Sequence, residues 1–140
     1  MADGIYETFT VNIDSGESKI FNTHIDINTL LWWSERPVEI RRGWQTDKVG
    51  LIEALTKLNN FLDEKTNTWC NGGSFDFPIL DYSFKACGLT KKWKYWDEID
   101  VRSISTFLDY KLPKGNTHNA LEDCKHQTGH LLRLFKEMSE

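Results

Sequence analysis

Between residues 47 and 108 the chain alternates helix periodicity with short apolar extended runs, and this alternation constrains the fold more than any other feature. DKVGLIEALTKLNNFLDE (residues 47–64) places Val49, Ile52, Leu55 and Leu58, with Leu51 and Leu62 beside them, at three- and four-residue spacing, which predicts a helix with one apolar face. Asn67-Thr68-Trp69-Cys70 reads as a short buried strand and Asn71-Gly72-Gly73 as a turn. From Ser74 a second helix carries Ile79, Leu80, Tyr82, Phe84 and Ala86 and stops at Gly88. Ile99-Asp100-Val101 is a further short strand and residues 102–108 a short helix. Strands separated by helices of this length build an α/β layered domain.

The flanking segments fit the same class. IYETFTVNI (residues 5–13) is rich in β-branched and aromatic residues and predicts a strand, followed by a turn at Asp14–Ser18 and a weaker extended stretch at 19–25. DINTLLWWSER predicts a short helix capped by Asp26 or Asn28, which Pro37 ends or turns. The last helix covers about residues 119–138, with Asn119 as N-cap and Glu122 in a capping-box-like position. A mixed sheet flanked by helices follows from this order, and 140 residues suit one domain over 1–140.

Composition narrows the function. With 39% apolar and 27% charged residues the chain is globular, and its net charge of −4 excludes broad electrostatic capture of nucleic acid. A local site working through metal ions remains compatible. No membrane span or signal peptide is present, so no membrane partner and a cytoplasmic location are expected. Cys70, Cys87 and Cys124, odd in number and without CxxC spacing, read as small buried thiols. Trp32 and Trp33 read chiefly as core residues, and otherwise as a surface for bases or sugars. Lys91, Lys92 and Lys94 alternate with Trp93, Tyr95 and Trp96, giving either a solvated loop or a basic-aromatic contact surface. His126 and His130 stand at i and i+4, with no third metal ligand evident.

Three segments carry possible chemistry. Asp76 lies between Phe75 and Phe77, just past Gly72-Gly73. It either complements the dipole of its helix or is a buried charge in need of a partner. His118 precedes a capped helix whose first turn holds Asp123, so both side chains can reach one point, although a loop histidine without a role is the plain alternative. Asp100-Val101-Arg102 follows the tryptophan-rich connection.

HNALED (residues 118–123) matches the H-x-A-x-x-D third motif of the DEDDh 3′–5′ exonucleases, and WCNGGSFDFPIL (residues 69–80) matches their second motif. ETFTVNID, IDINTLLWW and IDVRSI resemble stretches between the motifs in phage-type members of this ribonuclease-T-like, ribonuclease-H-like superfamily. The resemblance implies a ribonuclease-H-like fold and two-metal hydrolysis of nucleic-acid 3′ ends with Mg2+ or Mn2+. On matching positions it makes Asp76 and Asp123 metal ligands and His118 the general base. Asn71, Ser74, Phe75, Asn119 and Trp33 become the candidates for contacting the 3′ end of a single strand, DNA or RNA.

One part of the family pattern is absent. The first motif, D-x-E on the central strand, has no counterpart ahead of ETFTVNID. Neither Asp3 with Glu7 nor Asp14 with Glu17 has the i, i+2 spacing that aims two strand carboxylates at one point. The expectation is therefore an N-terminally truncated exonuclease domain of impaired activity. The alternatives are a catalytically silent binder of nucleic acid or protein, and one part of a split exonuclease completed by an N-terminal fragment. A homo-oligomer is a further expected way to cover the sheet edge left open.

Overall fold

A computed structural model of the chain describes residues 7–62, 67–113 and 118–140. The chain divides into two compact units, residues 11–110 and residues 1–10 with 111–140. Each is described by itself.

The larger unit is a mixture of short strands and helices, in keeping with an α/β class. Strand β1 (Asn12–Ile13) runs parallel to β2 (Lys48–Val49), and β3 (Thr68–Cys70) runs parallel to β4 (Glu98–Asp100). The described strands thus form two parallel pairs, where a mixed sheet was expected. Parallel neighbours need a long crossover. Helices α1 (Ser15–Ser18), α2 (Ile27–Ser34) and α3 (Val38–Gly43) lie in the first crossover, and α5 (Gly73–Ala86) lies in the second. Helix α4 (Leu51–Phe61) joins the two pairs in sequence, and α6 (Val101–Phe107) follows β4 directly.

The N-terminal expectations change most. Of the predicted strand 5–13, only Asn12–Ile13 has a ladder partner among the described residues, and residues 5 and 6 lie outside them. The predicted extended stretch 19–25 gives way to α1 and a 3-10 turn at Lys19–Phe21. The reason is local: the Asp14 carboxylate accepts the Gly16 N–H at 2.7 Å, and this cap starts a helical turn. Helix α4 begins at Leu51, later than predicted, because Asp47 adopts φ 50° and Lys48–Val49 extend to pair with β1.

The core of this unit gathers Leu51, Leu55, Phe84 and Trp93, with Phe21, Leu58 and Leu80 packed against them. Trp93 is 1% exposed and meets Phe84 edge-to-face with ring centroids 5.7 Å apart. Its indole N–H donates to Glu98 at 3.1 Å, and Glu98 also pairs with Lys91, which reaches Asp81 as well. Lys91 is therefore a structural cation and Trp93 an anchor, where the sequence suggests either a solvated loop or a basic-aromatic contact surface. Only Tyr95 and Trp96 of that segment are exposed aromatics. Trp32, by contrast, is 42% exposed, so the core reading of this residue is corrected.

The smaller unit is built on α7 (Ala120–Ser139), capped as predicted by Asn119, whose side-chain oxygen accepts from the Leu121 and Glu122 N–H groups at 3.1 and 3.2 Å. Leu131 and Leu134 are its buried residues. His126 and His130 stack edge-to-face at 4.5 Å, and the His126 ring bonds the Pro113 carbonyl at 3.0 Å. Among the described residues, no helix is long and apolar enough to cross a membrane.

Candidate active site

The turn between β3 and α5 carries an unusual backbone conformation. Gly72 has φ 131°, a conformation that side chains other than glycine rarely adopt. Its carbonyl accepts the N–H groups of Phe75 at 2.8 Å and Asp76 at 3.1 Å, which starts α5. Asp76 thus sits in the first turn of the helix, as expected from the sequence. Ser74 and Phe75 precede it on the exposed side, Phe75 being 69% exposed.

The Asp76 carboxylate is half-buried and has no hydrogen bond or close ion pair among the described residues. Burial pushes its pKa above the ordinary carboxylate value. The charge of Arg102 opposes that shift and the charge of Asp100 adds to it. The neighbouring Cys70 thiol is pushed up to about 11, first by burial and then by Asp76 and Asp100. Burial and the two acids favour the thiol over the thiolate there.

Asp100 is the opposite kind of acid. Its register partner is Cys70, the last residue of β3, so the end of β4 lies beside the β3–α5 turn. One oxygen accepts the backbone N–H of Gly72 at 3.0 Å and of Arg102 at 3.1 Å, and the other accepts the Ser103 hydroxyl at 3.0 Å. Burial works against its charge, but these hydrogen bonds outweigh it and hold the carboxyl below its ordinary value. Arg102 in turn donates its Nε–H to the Asn71 side-chain oxygen at 3.1 Å. Of these residues, sequence reasoning singled out Asp100 and Arg102 without assigning them a role. The signal that joins them to Asp76 is the β3–β4 register, which no local pattern states.

In the smaller unit, His118 and Asn119 lead into α7, and Asp123 lies in its first turn. The Asp123 N–H bonds the Asn119 carbonyl at 2.9 Å. His118 is exposed and has φ 47°, an uncommon conformation for a non-glycine residue, adopted more often by His than by most. Trp33, at the end of α2, is half-buried, with Trp32 and Trp44 edge-to-face on it at 4.7 and 4.6 Å. The structure therefore groups Asn71, Ser74, Phe75 and Asp76 at one helix start, and His118, Asn119 and Asp123 at another. Trp33 lies in neither group.

In kind, Asp76 suits a hard divalent cation such as Mg2+ or Mn2+: it is a carboxylate oxygen donor uncommitted to any hydrogen bond. Asp100 does not, because its oxygens already have donors. In number the donors fall short. Among the described residues, no group of three or more His, Cys, Asp and Glu gathers as a metal site.

Comparison with known proteins places the chain in a family. The 3′-5′ exoribonuclease Rv2179c-like domain matches residues 2–135. A curated relative is the exodeoxyribonuclease of Enterobacteria phage T4, 24% identical over 136 residues, covering 69% of this chain and 57% of the relative. The chain thus spans little more than half the length of that relative. No solved structure matches. With nearly its whole length matched, the chain belongs to the Rv2179c-like family of 3′–5′ exoribonuclease domains.

Proposed function

We propose that the chain is a DEDDh-type exonuclease domain with a ribonuclease-H-like arrangement, acting on the 3′ end of a single strand of DNA or RNA. The observation that carries this reading is the state of Asp76. A half-buried carboxylate without a hydrogen-bond partner among the described residues is costly unless a ligand offsets its charge. A purely structural acid is satisfied by its neighbours, as Asp100 is. In this reading Asp76 and Asp123, each the carboxylate of its own family motif, would be the residues that hold Mg2+ or Mn2+. When bound, the metal supplies positive charge against the negative charge developing on the phosphodiester.

The remaining roles belong to this chain's own groups. His118, exposed ahead of α7, takes the proton of the attacking water. Asn119, its side-chain oxygen spent on capping α7, fixes the turn that bears His118. Phe75 offers an open aromatic face to the terminal base, and Ser74 a hydroxyl to the sugar or phosphate. Trp33 supports the α2 surface through its packing with Trp32 and Trp44. The chain carries two of the four carboxylates of the family pattern, since D-x-E is not found ahead of ETFTVNID. Two divalent ions held close together repel strongly, and two acids offset that poorly. The isolated chain is accordingly slow in Mg2+, with partial rescue by Mn2+.

The test is release of mononucleotides from a 3′-labelled single strand, RNA and DNA in parallel, with Asp76→Ala as control. A slow wild-type rate that disappears in Asp76→Ala supports the reading. Robust turnover lost in Asp76→Ala keeps the exonuclease assignment and overturns the impairment. Equal background rates in both proteins overturn activity of the isolated chain, and supplying a D-x-E strand as a separate peptide then distinguishes a split enzyme from a silent binder.

A further inference from the structure

An acidic chain that handles a polyanion needs a cation fixed where the strand passes. Two cations of the larger unit illustrate how such a charge can be committed to the fold. Lys91 is paired with Asp81 and Glu98, and the Arg36 guanidinium lies over the Trp32 ring at 4.1 Å. Arg102 is different. Its backbone N–H is tied to Asp100 and its Nε–H to Asn71, so the residue is fixed at its backbone and at Nε. Its guanidinium carbon and terminal nitrogens lie 3.6–3.8 Å from where a Cβ on Gly72 would be. Glycine at that position leaves the face of the guanidinium uncovered. The terminal nitrogens have no hydrogen-bond or ion-pair partner among the described residues, and the side chain is exposed.

We infer that Arg102 is a phosphate-binding residue, whose two terminal nitrogens grip a backbone phosphate of the strand beside the Asp76 turn. The inference rests on the nuclease reading above. A planar fork with Nε already engaged presents its two outer N–H groups in parallel, the geometry that matches two phosphate oxygens. The bond from Asn71 orients the fork before the strand arrives, so less side-chain freedom is lost on binding. The positive charge also offsets that of Asp76, which otherwise repels the phosphates. Lysine in its place keeps the charge but has neither the Nε–H for Asn71 nor the paired donors.

The experiment is fluorescence anisotropy of a labelled single-stranded oligonucleotide in EDTA, titrated with wild type, Arg102→Ala and Arg102→Lys over a range of NaCl concentrations. Arg102→Ala is expected to bind about 3–10-fold more weakly at every base sequence, with the salt slope reduced by about 0.7, one single-strand phosphate contact. Arg102→Lys keeps the slope and loses part of the affinity. Melting curves of all three proteins, expected to agree within a few degrees, show that folding is intact. A wild type that binds with an Arg102→Ala slope equal to its own overturns the inference and leaves the nuclease reading standing. A wild type without salt-dependent binding overturns both.

Discussion

Asp100 and Gly72, 28 residues apart in sequence, are joined by a hydrogen bond of 3.0 Å from the Gly72 N–H to the Asp100 carboxylate. That bond ties the end of β4 to the turn that launches α5, and the same carboxylate caps α6. Removing the acid strands the N–H of buried Gly72. Asp100→Ala is therefore expected to destabilise the protein by about 2–3 kcal/mol, a lost cap plus an unsatisfied donor. The folded-state pKa of Asp100 is lowered, so this stability is present above the unfolded value and lost as pH falls through the folded one. Denaturant melts from pH 7 down to pH 2 check this: the gap between wild type and Asp100→Ala closes at the acid end.

Asp76 has the opposite sign. Its pKa is raised in the folded state by burial, so the contribution of the proton-bound form favours the fold at low pH and is lost as pH rises through the folded pKa. At neutral pH the charge is a cost that function requires. Asp76→Asn is expected to raise the melting temperature slightly at pH 7, to match wild type below about pH 4, and to abolish nucleotide release. A mutant less stable than wild type at pH 7 contradicts the desolvated-charge account.

Gly72→Ala probes the turn directly. With φ at 131°, a side chain there is strained whatever space surrounds it, and the expected cost is about 1–3 kcal/mol by chemical denaturation. The Cβ would also touch the Arg102 guanidinium at 3.6 Å, so oligonucleotide affinity is expected to fall in the same variant.

The tryptophans separate by burial. Trp93→Ala empties a site that is 1% exposed and breaks the bond to Glu98, with an expected loss of about 3–5 kcal/mol. Trp32→Ala removes a half-exposed ring and is expected to cost roughly 1 kcal/mol, including the lost contact with Arg36. Equal losses of melting temperature in the two variants would contradict this division.

His118→Ala is expected to lower whatever turnover the wild type shows by about 10²–10⁴-fold, the usual contribution of a general base, without altering stability. Single-turnover rates with saturating protein measure this, and binding of the oligonucleotide in EDTA is expected to be unchanged.

Local chemistry made much of this protein legible in its sequence. The periodicity of Leu51, Leu55 and Leu58 yields α4, the caps Asp26 and Asn119 start α2 and α7, and Gly88 ends α5 with φ 65° while the Leu89 N–H returns to the Phe84 carbonyl. The position of Asp76 in a first helical turn, right behind a Gly-Gly bend, was equally readable, because each of these signals acts within a few residues. Strand pairing was not, since a ladder depends on a distant partner: residues 7–13 have strand composition yet β1 covers Asn12–Ile13 alone among the described residues, and Lys48–Val49 leave a helical pattern to pair with it. Nor did composition reveal which tryptophan is buried, because burial is set by what packs around a ring. Only the tertiary register of Cys70 opposite Asp100 brought Arg102 to Asn71 and left Asp76 the acid without a hydrogen-bond partner in that cluster. Hydrogen bonds across 28 and 31 residues are fixed by how two strands align, and a sequence read a few residues at a time does not contain that alignment.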